Sequence, residues 1–180
     1  GFSDAVELAN AAYGQAETVV TPLQMALVAA TVANGGVLMQ PHLVESFTGR
    51  GGTTTVAPAV WRRIVSPGIA TDITAAMQQA VNGKLGKQFT TGAQVKGLTV
   101  AGKSGTAELG GTGEPNSWFI GFAPAGDAQV AIAVVVEQGG RGAEAASGQH
   151  QHEPLLHDQR MHVLHPRTQR HPHPDFTGAL

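Results

Sequence analysis

Seven consecutive apolar residues, Val130-Ala131-Ile132-Ala133-Val134-Val135-Val136, constrain the fold more than any other stretch. The run is strand-sized and too short to span a bilayer. Apolar side chains on both of its faces require cover from both sides, as for a central buried strand. Ser117 to Ala123 reads as a neighbouring strand with Trp118, Ile120 and Phe122 on one face, joined by a turn at Pro124 to Asp127. Gln94 to Ala101 reads as a third extended segment. Short connections between consecutive strands make the sheet antiparallel, and the helices earlier in the chain are able to cover it. The fold class is α+β, an antiparallel sheet covered by helices.

Two of those helices announce themselves through their caps. Thr21-Pro22-Leu23-Gln24 offers an N-cap hydroxyl, a proline at the first helical position and the glutamine of a capping box. Leu23 to Ala33 is apolar nearly all round, which marks a helix buried within the domain, and Asn34-Gly35-Gly36 supplies a left-handed stop. Ser66-Pro67 opens the second, its body starting near Thr71. Ile73, Ala76, Met77, Ala80 and Val81 form its apolar stripe, with Met77 as core filler, and Asn82-Gly83 ends it. A shorter helix is expected from Ser3 to Ala12, capped by Ser3 and ended near Gly14. Val37 to Phe47 reads as extended and broken at Pro41, and Thr48 to Ala59 as a surface loop or small hairpin. Lys84 to Thr91 and the Gly-rich Leu109 to Pro115 are connections.

Chemistry concentrates in Lys103-Ser104-Gly105-Thr106, where a cation, two hydroxyls and a residue without a side chain fill four consecutive positions. On an edge strand, Lys103 and Gly105 face one way and Ser104 and Thr106 the other. Gly105 lets another backbone or a ligand approach closely. An ammonium beside hydroxyl donors suits a carboxylate, and a free N–H at a sheet edge suits an oxyanion. An ordinary turn also favours these residue types, so the flanking sequence has to decide.

Composition excludes several other classes. The 180 residues carry a formal net charge of −2, without the basic stripe that nucleic acid requires. There is no cysteine, hence no disulfide framework and no thiolate chemistry. Residues 1–140 read as one domain and 141–180 as a Gly/Ala linker with a His/Pro-rich tail. From His150 onward the chain holds seven of the eight histidines and no lysine, with no helical or strand period. That stretch is expected to be disordered, because it buries too little apolar surface to offset its ordering entropy. It reads as foreign to the domain, standing where a packing helix is expected. His150 with His152, and His171 with His173, have chelating spacing but lack the closer-knit, fold-supported ligands of structural sites, so no metal site is read there.

Taken in order, these segments resemble the penicillin-binding proteins, in particular the membrane-anchored class B D,D-transpeptidases. The resemblance runs from about Ala12 to Gly140. It rests on Ala12-Tyr13-Gly14-Gln15, Thr21-Pro22-Leu23-Gln24-Met25-Ala26, Ala33-Asn34-Gly35-Gly36 with Pro41, Ala101 to Glu108, and Asn116-Ser117-Trp118-Phe119-Ile120-Gly121-Phe122-Ala123-Pro124. The ordered series, with Lys-Ser-Gly-Thr followed by Trp-Phe-x-Gly, is what makes it specific.

The resemblance implies a partial serine β-lactamase/transpeptidase-like fold and three motifs, Ser-x-x-Lys, Ser-x-Asn and Lys-[Ser/Thr]-Gly. Only the third is in this sequence; Ser3 is followed three residues on by Val6, and Ser66 by Ile69. The chain is therefore expected to be a C-terminal portion, inactive alone, its nucleophilic serine and any membrane anchor lying elsewhere. Lys103 and Thr106 are the expected catalytic residues in supporting roles, with Lys103, Ser104, Gly105 and Thr106 binding substrate. The implied partners are peptidoglycan stem peptides and β-lactams, at the extracytoplasmic face of the bacterial plasma membrane, with no cofactor. Trp118 and Phe119 are expected to brace the sheet, and Glu108 to be solvated. The alternatives are a serine β-lactamase-like hydrolase and a non-catalytic penicillin-binding sensor or scaffold. Without a C-terminal covering helix, Val130 to Val136 is expected to be exposed on one face and prone to aggregate.

Overall fold

The computed structural model describes residues 1–15, 18–84, 91–110 and 113–142, and the backbone of 160–164; Thr91 is likewise described by its backbone only. Three helices, α1 (Ala5–Ala12), α2 (Pro22–Ala33) and α3 (Pro67–Asn82), precede a four-stranded sheet. Its strands are β5 (Ala101–Ala107), β6 (Asn116–Ala123), β7 (Val130–Val136) and β8 (Arg160–Leu164), all antiparallel and adjacent in chain order. Between α2 and α3 lie β1 (Val37–Met39), β2 (Ser46–Gly49), β3 (Gly52–Thr55) and β4 (Val60–Arg63). They form two small antiparallel pairs, β1 with β4 and the exposed hairpin β2–β3.

α2 starts as its sequence dictates. The Thr21 hydroxyl accepts from the Gln24 N–H, and the Gln24 side chain accepts from the Thr21 N–H, closing the capping box. Gly35 and Gly36 end the helix at φ of 60° and 85°. Small residues let it settle on the sheet: Ala29 and Ala30 of α2 pack with Ala101, Phe122 and Ala131 in one cluster, joined by Met77 of α3. The helix is not buried all round, since Leu23 and Val28 remain exposed.

On the opposite sheet face Phe119 packs with Ala123, Val100 and Ala93 and with Val81 of α3. Gly102 and Gly121 stand directly opposite one another in β5 and β6. The Phe119 ring lies over the pair, where a methyl at either glycine would strike it. Phe119 is thus buried, as a sheet brace should be, while Trp118 and Ile120 on the α2 side are half-buried.

Several expectations need correction. The cap of α1 is Asp4, whose carboxylate accepts from the Val6 and Glu7 N–H groups, whereas Ser3 donates to Glu7. α3 begins at Pro67, a turn earlier than Thr71, and Ala76 of its stripe is exposed. Gln94 to Ala101 is not a strand. Gly97 adopts φ of 79° and the Leu98 N–H bonds back to Val95 O, reversing the chain, so extended structure begins at Ala101. β4 was not foreseen; its four residues are all exposed, so no burial pattern betrays it.

Two corrections fall at the end of the chain. Arg160–Leu164, within the stretch expected to be disordered, pairs with β7, Leu164 opposite Ala131. The outer edge of β7 carries unpaired backbone groups that any extended segment satisfies, whatever its composition. β7 alternates between buried and half-buried residues, so the one face expected to be exposed is half-buried instead. The four histidines with chelating spacing lie outside the described residues, and no metal-binding group of side chains occurs among those described. No described helix is long and apolar enough to cross a membrane.

Candidate active site

β5 is an edge strand, so one side of its backbone faces β6 and the other does not. In an antiparallel pair a residue directs both its N–H and its C=O to the same side, and successive residues alternate. Three side-chain contacts identify which residues of β5 and its approach face the open side. The Asn82 amide donates to Val100 O (3.0 Å), the Gln15 amide donates to Thr106 O (3.3 Å), and the Lys103 ammonium donates to Ser104 O. Gly102, Ser104 and Thr106 therefore present their N–H groups along the open edge, and Lys103 and Gly105 pair with β6.

The side chains follow the alternation expected of them. Lys103 and Gly105 share the face of Ala101, with Ile120 and Trp118 opposite; Ser104 and Thr106 share the face of Phe119 and Ser117. Lys103 and Thr106 are exposed, and Ser104 and Gly105 half-buried. The four residues thus reach solvent together at one sheet edge.

A strap crosses the end of the motif. After β7 the chain turns at Gln138, whose φ is 52°, and runs back over β6 and β5. Gln138 N–H donates to the Asn116 side chain (2.9 Å), Gly140 N–H to Pro115 O (3.0 Å), and the buried Ser117 hydroxyl to Arg141 O (2.7 Å). Gly142 N–H donates to Thr106 Oγ1 (3.0 Å). Gly142 lies so close that a Cβ on it would collide with the backbone of Gly105. Gly105 therefore does accept another backbone closely, and that backbone is Gly142. The residues read as the start of a linker are in fact tied to the sheet.

Thr106 is held at both of its oxygens, the carbonyl by Gln15 and the hydroxyl by Gly142. Its N–H points along the open edge, and its hydroxyl, accepting from Gly142, still has a hydrogen to donate. The arrangement can offer an anion a cation, two hydroxyl donors and a backbone N–H within four residues. Sequence reasoning missed the three residues that support it, Gln15, Asn82 and Gly142. Gln15 stood inside a recognised segment, but its contact with Thr106 joins residues far apart in the chain and leaves no local pattern.

A separate cavity of about 410 Å³ opens between α2 and β4, lined by Leu27, Val28, Val32, Trp61, Ile64 and Ile73 among others. No β5 residue lines it.

Comparison with known proteins gives one answer. The family model described as "Penicillin binding protein transpeptidase domain" matches residues 2–159. The chain is 43% identical over 153 residues to peptidoglycan D,D-transpeptidase PbpA of Mycolicibacterium smegmatis, spanning 81% of this chain and 30% of that protein. PbpA of Mycobacterium tuberculosis is 39% identical over 150 residues, again with 81% and 30% covered. Among solved structures, the imipenem acyl-enzyme complex of penicillin-binding protein A from M. tuberculosis superposes with a TM-score of 0.70 at 39% identity, covering 81% of this chain and 32% of that one. The penicillin G acyl-enzyme complex of that protein gives 0.69 at 38% identity, covering 80% and 33%. This chain thus spans about a third or less of the length of these relatives. It belongs to the penicillin-binding protein transpeptidase domain family.

Proposed function

We propose that these residues form part of a D,D-transpeptidase that cross-links peptidoglycan stem peptides through a serine acyl-enzyme. The observation that carries the reading is the open edge of β5, where Lys103, Ser104 and Thr106 meet solvent together and Thr106 keeps its N–H and O–H as donors. The 180 residues contain neither Ser-x-x-Lys nor Ser-x-Asn, so the nucleophile and its base come from outside them.

In this mechanism the serine Oγ attacks the carbonyl carbon of the penultimate D-Ala. The C–N bond breaks, and the terminal D-Ala leaves as the amine after taking up a proton. An amine of a neighbouring stem then attacks the ester, a new C–N bond forms, and the serine recovers its proton. Lys103 supplies positive field and, with the Ser104 and Thr106 hydroxyls, binds the terminal carboxylate. Thr106 N–H and the N–H of the nucleophile form the oxyanion hole, one donor of which is worth about 3 kcal/mol of barrier. β-Lactams mimic the donor peptide and remain as stable esters, the species described for the M. tuberculosis relative with imipenem and penicillin G. This chemistry belongs at the extracytoplasmic face of the plasma membrane, where its polymer substrate lies.

The test uses the complete transpeptidase domain and a fluorescent penicillin. Lys103→Ala is expected to slow acylation by about a hundredfold, the scale of losing a group that stabilises developing charge. Acylation at the unaltered rate overturns the role given to Lys103.

A further inference from the structure

We propose that Gln15 is a positioning residue for the acyl-transfer site, an inference that rests on the transpeptidase reading. The chain after α1 is built to deliver its side chain. Tyr13 caps the helix, Gly14 takes φ of 85°, and two backbone bonds follow: Gly14 N–H to Ala11 O and Gln15 N–H to Asn10 O, each 3.0 Å. This is a Schellman ending, with glycine at the position that must turn left-handed. The Tyr13 hydroxyl donates to the Asn10 side chain (2.6 Å), pinning the turn from outside. Gln15, the next residue, then reaches across to Thr106 O at 3.3 Å.

The contact matters because of what Thr106 does with its other atoms. Ser117 opposes it in β6, Gly142 N–H holds its hydroxyl oxygen at 3.0 Å, and Gln15 holds its carbonyl. With its pairing, its carbonyl and its hydroxyl oxygen fixed, Thr106 keeps its N–H in one direction along the open edge. An oxyanion donor works only when it is aimed before charge develops, since reorienting it during the reaction costs what it gains. Accepting from Gly142 also polarises the Thr106 hydroxyl toward donating, whereas the Gln15 bond, made to the carbonyl, acts by fixing the peptide's direction. Gln15 touches neither substrate nor reacting atoms; it acts through Thr106.

The experiment compares Gln15→Leu and the isosteric Gln15→Glu with the unsubstituted complete domain. Three quantities are read: the second-order rate of acylation by penicillin G, the infrared stretch of the acyl-ester carbonyl, and Tm. Both variants remove the amide donor. Each is expected to acylate about five- to tenfold more slowly, the worth of one hydrogen bond. Each should also raise the carbonyl frequency, the sign of weaker donation in the oxyanion hole, with little change in Tm. Gly14→Ala, strained at a left-handed position, should displace the turn and move rate and frequency the same way. A purely structural role would lower Tm and leave the carbonyl band in place. If Lys103→Ala slows acylation but Gln15→Glu keeps the normal rate and band, the role of Gln15 alone falls. If the unsubstituted domain takes up no penicillin, the transpeptidase reading falls and this inference with it.

Discussion

β5 and β7 are both seven residues long and stand one strand apart in the same sheet, yet they are held in opposite ways. β7 is Val-Ala-Ile-Ala-Val-Val-Val; its side chains supply its stability, with a helix on one face and half-buried aliphatics on the other. β5 is Ala-Gly-Lys-Ser-Gly-Thr-Ala and has almost no apolar side chains to bury. It is positioned by groups on other elements: Phe119 over its first glycine, Gly142 against its second, Asn82 before its start and Gln15 near its end. A strand with so few apolar side chains of its own has to borrow its rigidity from neighbours.

This contrast predicts where substitutions will register. Phe122 stands between Ala101 of β5 and Ala131 of β7 and is almost wholly buried. Phe122→Ala should cost about 3–5 kcal/mol in denaturant unfolding of the complete domain, loosening both strands together. A loss under about 1 kcal/mol would mean that the two strands do not share this core. Lys103→Ala should do the reverse, slowing acylation while changing stability by no more than about 0.5 kcal/mol, as at exposed surface positions. Gly102→Ala sharpens the comparison, because its methyl enters the space of the Phe119 ring. Overpacking there should cost about 1–3 kcal/mol and slow acylation as the strand shifts. If stability falls and acylation holds, the ring supports the sheet without aiming the motif.

The smallest effect is expected at α1, which buries none of its residues. The Ser3 hydroxyl and N–H both donate to the Glu7 carboxylate and hold its pKa below the ordinary value. A depressed carboxyl stabilises the fold in its charged form. That contribution is therefore complete above the unfolded-state pKa and disappears as pH falls through the lower folded-state value. Amide NMR across acid pH should show the first turn of α1 loosening there, and Ser3→Ala should move the midpoint back up. An unmoved midpoint in Ser3→Ala would show that Ser3 does not hold the charge.

How much of this was legible in the sequence follows from the same contrast. Thr21, Pro22 and Gln24 specify the start of α2 because a capping box closes within four residues, and the apolar run of β7 specifies its own burial. The chemical motif could be read as a motif, since residue types carry its meaning. Its supports could not. Gln15, Asn82 and Gly142 meet β5 only after the chain has folded, and side-chain amides and a bare glycine have many other uses. The cap of α1 was misplaced for a related reason, because Ser3 and Asp4 are both good caps and only geometry separates them. β4 escaped notice because Val60–Arg63 lies exposed against β1, where no hydrophobic period is required.

The two amides that grip the open side of β5 at Val100 and Thr106 carry one more consequence. A bare sheet margin invites another chain to zip alongside it, and repeated zipping makes fibres. With the rungs at both extremities already taken, the remaining ledge is too short to seat a foreign strand but long enough for the end of a peptide. The grip that steadies the ledge thereby also guards the protein against polymerising through it.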